Sequence, residues 1–418
     1  MPCPLKRKTP GYRLGEYKER VLEYSRQIKQ SSEERIAMQH AIKAAKTGFF
    51  PSVDFSGSYQ YRINKYDLDF GPGMSVEMDH NTYSLGATVS QPIYAGGQIY
   101  NNYKAAQVQG KITEQAEELT TDNIVYSADL NYWTAAARKG MYDVMCQYVD
   151  IVGELANVLT IRFNDGQISK TDLLQVESRL KEAELNKSSA YKEYQIALQN
   201  LNSLMGVSPL DPIEVEDSIT TYLALPLQVG EDVALRNRPD YAISELNIEY
   251  QKRQINLSKA KYNPSLAIGF QGTWGTPMLN VKGSDQLWTP AVFASLKIPL
   301  FRWGARFKEV NSQKAILRSK EYALDNTRDK IAQEVANAWT SLTEYTKQIT
   351  VAEEACKIAE ENLDLNTFSY NEGKLPILDV LSAQLSWIQS YSSLIQTWYQ
   401  QKASLAQYNK AIGIRRLQ

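Results

Sequence analysis

The chain has 418 residues, with 46 Lys and Arg against 47 Asp and Glu, so it lacks the basic surplus that neutralises phosphate backbones, and nucleic acid is excluded as a partner. Mean hydropathy is −0.42, and no stretch approaches the roughly 18 uncharged apolar residues of a membrane-spanning helix. That excludes a helical membrane protein but not a β-barrel, whose strands show only alternation. Cys3, Cys146 and Cys356 are too few and scattered for a disulfide framework, and His40 and His80 cannot by themselves make a metal site. No H-E-x-x-H, G-x-S-x-G or phosphate-loop pattern occurs, so neither an enzyme nor a cofactor is expected. The basic start, Met1 to Lys8, has no apolar segment behind it and no visible signal peptide. Either the protein stays inside the cell or the sequence begins after its export signal.

In chain order, the first element is a helix over 17–46, ending at Gly48-Phe49-Phe50-Pro51. The period then switches to two, with Val53, Phe55, Gly57, Tyr59 and Tyr61 alternating against Asp54, Ser56, Ser58, Gln60 and Arg62. A turn-rich insert over 63–81 contains Gly71-Pro72-Gly73, after which Tyr83, Leu85, Ala87 and Val89 resume the alternation. The hairpin occupies 52–94. A long helix over 98–162 follows and ends at Asn164-Asp165-Gly166, where glycine supplies the left-handed cap. A return helix over 169–206 starts with Ser169 as N-cap. The segment 208–230, rich in Pro, Asp and Thr, reads as a linker or equatorial belt.

The second half repeats the first. Its expected elements are a helix over 232–261, a hairpin over 265–301 with its loop at 275–287, a long helix over 305–369, and a return helix over 376–413. The motifs Pro92-Ile93-Tyr94-x-x-Gly97, Phe163-Asn164-Asp165-Gly166 and Asn202-x-x-Met205-Gly206 recur at Pro299, Tyr370 and Asn409, each at an offset of 207 residues. Repeats therefore span 1–207 and 231–418. Phe50-Pro51 answers Asn263-Pro264 at an offset of 213, so six extra residues lie in the first hairpin region. In the second long helix Ile331, Val335, Ala338, Leu342, Tyr345, Ile349, Ala352, Cys356, Ala359 and Leu363 follow one unbroken heptad seam. Shifted back by 207 the seam reads Ile124 to Ala156, with only Asn131 and Arg138 polar. About 65 residues of helix extend on the order of 100 Å.

Strands of about ten residues match what a tilted strand needs to cross a bilayer. Four strands with one apolar face cannot close alone, because lipid tolerates no open edge. Two, three or four copies would close a barrel. The alternative is an elongated coiled-coil tethering protein of the cell envelope whose hairpins are caps.

Gln91-Pro92-Ile93-Tyr94-Ala95-Gly96-Gly97 before a long helix, Tyr370-Asn371-Glu372-Gly373 followed by Asp379-Val380-Leu381-Ser382-Ala383-Gln384, and Ala411-Ile412-Gly413 near the end resemble the TolC family of outer membrane efflux proteins. The resemblance runs from about Tyr12 to Ile414. It implies an α+β fold, with long coiled-coil helices forming an α-helical barrel in the periplasm and two hairpins giving four strands to a trimeric, twelve-stranded transmembrane β-barrel. It also implies a homotrimer in the cell outer membrane, acting as the exit duct of a tripartite efflux or type I secretion system. The implied partners are outer membrane lipid, a periplasmic adaptor, and an inner membrane transporter of RND or ABC type.

By the same resemblance, Asp379 and its counterpart Asp172 fall at the periplasmic gate. A first-turn acid that complements the helix dipole is the alternative reading. The position three residues beyond Asp379 is Ser382, which puts a double acidic ring in doubt. Asn164, Asp165, Gly166, Asn371, Glu372 and Gly373 fall at an adaptor-docking tip. Tyr59, Tyr61, Tyr83, Trp274 and Trp288, near the outer strand ends, read as interfacial aromatics. Cys356 reads as a small buried hydrophobe, and Cys3 lacks the small-residue context of a lipid-attachment site.

Overall fold

The computed structural model describes residues 10–64, 67–69, 71–277 and 280–414. Cys3 and the basic start lie outside the described residues. In chain order the elements are β1 (Gly11–Tyr12), α1 (Leu14–Tyr24), α2 (Arg26–Thr47), β2 (Ser52–Tyr61), β3 (Asp67–Asp69), β4 (Ser75–Glu77), β5 (Asn81–Ala95), α3 (Gln98–Asn164), α4 (Lys170–Met205), β6 (Glu214–Val215), α5 (Glu231–Asn237), α6 (Pro239–Ala260), β7 (Ser265–Gly275), β8 (Leu287–Lys297), α7 (Ala305–Asn371) and α8 (Ile377–Ala411). The fold is α+β.

Each helix expected before a hairpin is broken in two. Ser25 leaves helical geometry (φ −42, ψ 114) and its Oγ accepts the Ile28 amide at 3.4 Å, which caps α2. Arg238 is extended (φ −84, ψ 121) because Pro239 follows it and the proline ring crowds the preceding residue out of helical geometry. Two further elements carry too short a pattern to be read from sequence. β3 and β4 form a small hairpin inside the 63–81 insert, and β6 of the linker pairs in parallel with β1.

Two compact units divide the chain. One comprises Glu33–Glu114 and Ile243–Leu324 and holds an antiparallel sheet in the order β2-β5-β7-β8. Its register brings Val53 beside Val89, Val89 beside Phe270 and Phe270 beside Val292, so one row of apolar side chains crosses all four strands. Asp54, Ser56, Ser58 and Gln60 occupy the other face of β2, as the period of two requires. The apolar face is bare: Val53, Phe55 and Val292 are 73, 74 and 83% exposed. The edge strands β2 and β8 each have a neighbour on one side only.

The other unit comprises Met1–Ser32, Gln115–Ala242 and Asp325–Gln418. Arg138 of α3 reaches Glu193 of α4 at 4.0 Å, and the Tyr142 and Tyr191 rings of the same helices are 5.3 Å apart. On its other side α3 meets α8, where Tyr148 and Trp387 stack at 6.5 Å. α8 in turn meets α7, with the Tyr391 hydroxyl 3.2 Å from Glu360 and Trp339 5.2 Å from Tyr408. The four long helices therefore run in the order α4-α3-α8-α7; α4 and α7 are the outer two, and each also meets a shorter helix, α1 at α4 and α5 at α7, where Ala234 is buried with Ile331, Val335 and Ala338. The heptad seam of α7 lies inside: Ile331, Leu342, Ile349, Cys356 and Leu363 are buried. A second stripe on α7, Val351, Ile358 and Leu365, keeps the same seven-residue spacing but is exposed. The other edge carries exposed Leu174, Leu185 and Ile196 on α4, spaced by eleven, which keeps them on one side of a nearly straight helix.

One expectation from composition is corrected here. α3 contains an eighteen-residue window of mean hydropathy 1.3, long and apolar enough to cross a membrane, with 33% of it buried. The reason is its position between α4 and α8, which gives it a wider apolar face than a helix packed on one side needs.

Candidate functional site: the helix-reversal tip and the aromatic bands

The two helix reversals are built alike. Gly166 (φ 74) donates to Phe163 O at 2.9 Å and Gln167 to Arg162 O at 2.8 Å. Gly373 (φ 72) donates to Tyr370 O and Lys374 to Ser369 O, both at 2.9 Å. These are paired Schellman bonds closing two helix C-termini at the same 207-residue offset. Asn164, Asp165, Gly166, Asn371, Glu372 and Gly373 are all exposed there.

The return helices differ at their starts. Ser169 Oγ accepts the Asp172 amide at 3.2 Å and donates to Asp172 Oδ2 at 2.9 Å, so Asp172 is half-buried in its own helix cap. Pro376 holds the equivalent cap position without a side-chain bond. Asp379 is exposed, and its carboxylate has no hydrogen-bond partner among the described residues. Of the two acids, Asp379 alone presents an unengaged charge. Ser382, three residues on, is exposed as well.

Arg162, which sequence reasoning missed, ties the two reversals together. Its Nη2 donates to Asn371 Oδ1 at 3.2 Å, and the guanidinium lies 5.3 Å from the centre of the Tyr370 ring. The signal was present: at the repeat offset Arg162 is answered by Ser369, so the arginine is an asymmetry in an otherwise duplicated turn.

In the sheet, Tyr59 pairs with Tyr83 across β2 and β5, and Trp274 pairs with Trp288 across β7 and β8. The Tyr83 and Trp274 rings are 5.9 Å apart, which joins the two pairs into one band. Tyr61 is set off from it and stacks on His80 at 5.7 Å. A second set, not singled out from sequence, lies at the opposite strand ends: Phe49, Phe50, Tyr94, Phe301 and Trp303 are exposed. Aromatic residues flanking strand ends were its legible signal. Trp303 has φ 47, the one positive φ outside glycine among the described residues. Among the described residues no group of three or more His, Cys, Asp or Glu is placed to hold a metal ion.

A sheet with one bare apolar face, together with a row of four long helices that reverse at glycine caps, is the architecture of the TolC-like outer membrane channels. The crystal structure of the outer membrane protein VceC from Vibrio cholerae is similar over 96% of both chains, with TM-score 0.81 at 17% identity. The family model described as outer membrane efflux protein matches residues 18–207 and 232–414, and the chain belongs to that family. Two relatives are nodulation protein T of Rhizobium leguminosarum bv. trifolii and the outer membrane efflux protein BepC of Brucella suis biovar 1. The first is 25% identical over 60% of this chain and 55% of its own length, the second 20% identical over 85% and 75%. The chain thus spans little more than half of the first relative. Family membership places the protein in the outer membrane, with its helical part on the periplasmic side.

Proposed function

We propose that the protein is a passive exit duct which closes only as an oligomer, with three copies completing a twelve-stranded barrel in the outer membrane and a helical tunnel in the periplasm. One observation carries this reading: each unit leaves two sides uncovered, the strand edges β2 and β8 in the sheet and the bare stripes of α4 and α7 in the helices. In lipid an unpaired strand edge costs several kcal/mol for each unsatisfied backbone group, so the sheet needs a neighbour's edge. The bare apolar face with aromatic bands at both ends suits a lipid surface. A tethering protein has no use for that face.

The duct serves efflux of small molecules or export of polypeptides, with an inner membrane transporter supplying the energy and a periplasmic adaptor docking at the 164–166 and 371–373 turns. Asp379, repeated by the oligomer around the mouth, favours cations. Planar-bilayer recording on the detergent-purified oligomer tests the proposal. The expected result is discrete conductance steps, with cation over anion preference reduced several-fold by Asp379→Asn. Stable oligomers that conduct neither as wild type nor as Asp379→Asn sink the duct.

A further inference from the structure

We propose that a groove enclosed by α3, α7 and α8 beside the helix reversals binds a small organic polycation of the linear polyamine class. The cavity measures about 570 Å³, within the roughly 300–1,000 Å³ of small-molecule sites. Two pairs of carboxylates line it, Asp150 and Glu154 on α3 and Glu360 and Asp364 on α7. Each pair is one helical turn apart, about 6 Å along the axis, a spacing at which like charges repel. No lysine or arginine lines the cavity among the described residues. Arg162, at the tip end, is taken up by Asn371 and Tyr370.

The acidic field is felt by its neighbours. Burial and then the Glu360 charge push the Tyr391 hydroxyl up to about 12, and the same two causes push the Cys356 thiol up to about 11. Three of the four acids are absent from the other repeat: at the 207-residue offset Asp150 answers to Lys357, Glu360 to Gly153 and Asp364 to Asn157, while Glu154 answers to Glu361.

A second observation points inward. Gln384 lines the cavity and is 1% exposed, yet its Oε1 accepts no hydrogen bond. A buried amide oxygen without a donor is destabilising, and a turn of the Gln384 side chain toward the cavity lets an ammonium N–H in the groove satisfy it. Trp387 adds an aromatic wall. Carboxylates spread along two helices, with no compact cluster for a metal ion, match a ligand whose charges are distributed along a chain. In the oligomer proposed above, on which this point rests, the groove stays open. Glu360 follows Ile358 by two residues, about 200° around the helix, so the groove faces away from the exposed stripe of α7.

The test is isothermal titration of the full-length, detergent-purified oligomer with spermidine at physiological salt. Saturable binding is expected, weakened at least about tenfold by the double substitution Glu154→Gln and Asp364→Asn. Gln384→Met should weaken it about threefold or more without lowering the melting temperature, because it removes an unsatisfied acceptor and no bond. Glu177→Gln, an exposed carboxylate on α4, serves as control and leaves binding unchanged. Equal binding by the groove variants and the control overturns the proposal. So does magnesium displacing spermidine equally from every variant, which would show diffuse attraction only. If the double variant fails to assemble, Gln384→Met decides alone: unchanged spermidine binding by that variant overturns the site.

Discussion

Lys402 lies 1% exposed, its ammonium about 5 Å from the rings of both Trp133 and Trp398, 5.0 and 5.2 Å respectively, and donating to Thr221 O. Burial pulls its pKa down to about 8, against a weaker opposing pull from Asp217. Between pH 8 and the unfolded value of 10.5 the unfolded chain keeps this proton while the folded chain has lost it, so stability rises with pH across that window. Denaturation at pH 8 and pH 10 should show wild type gaining stability, by up to a few kcal/mol, relative to Lys402→Met. Parallel pH profiles for the two proteins would remove Lys402 as the cause. Trp303 makes the opposite kind of sacrifice. It occupies the position answered in the first repeat by Gly96 (φ 64), and keeps the left-handed backbone (φ 47) that costs a side-chain-bearing residue about 1–2 kcal/mol. Its exposed ring flanks the sheet beside Phe301 at 5.0 Å. Trp303→Gly is therefore expected to raise the melting temperature in detergent while weakening retention in lipid vesicles. A lowered melting temperature would mean that the indole is structural.

At the scale of elements, the edge helices make the clearest demand. α7 has two stripes in heptad register: one is buried, against α8 and, from Ile331 to Ala338, against α5 as well, while Val351, Ile358 and Leu365 are bare. Glutamate at Val351 and Ile358 together should leave monomer helicity intact and convert the oligomer to monomer in light scattering. Persisting oligomers of unchanged mass would place the interface elsewhere. The reversals demand glycine for a backbone reason: Gly166 and Gly373 sit at positive φ with open space around them, so a side chain there is strained, not crowded. Valine at either position costs about 1–3 kcal/mol of local strain.

At the scale of the whole molecule, that local strain becomes a test of partner recognition. Oligomers carrying Gly166→Val and Gly373→Val should keep their mass and lose capture by a periplasmic adaptor in a pull-down. Full capture would move docking away from the tip. The tip turns can carry such a role because they are exposed, paired by the duplication and cross-tied by Arg162 through Asn371.

Sequence alone determined the repeating parts. The offset of 207, the period-two strands and the α7 seam from Ile331 to Leu363 are local patterns, enforced by side-chain direction along a strand or helix. They sufficed to place the sheet, the long helices and the two glycine-capped helix reversals. The breaks at Ser25 and Arg238, the β1 to β6 pairing and the exposure of the second helical stripe were not legible in the same way. Each depends on what lies opposite in space: a two-residue strand carries no periodic signal, and the heptad spacing of Val351, Ile358 and Leu365 does not say whether that stripe is covered. The same holds for the groove beside the tip. Asp150 and Glu360 are 210 positions apart in the chain, and only the packing of α3, α7 and α8 brings their charges to one cavity that Gln384, with its unpaired oxygen, also lines.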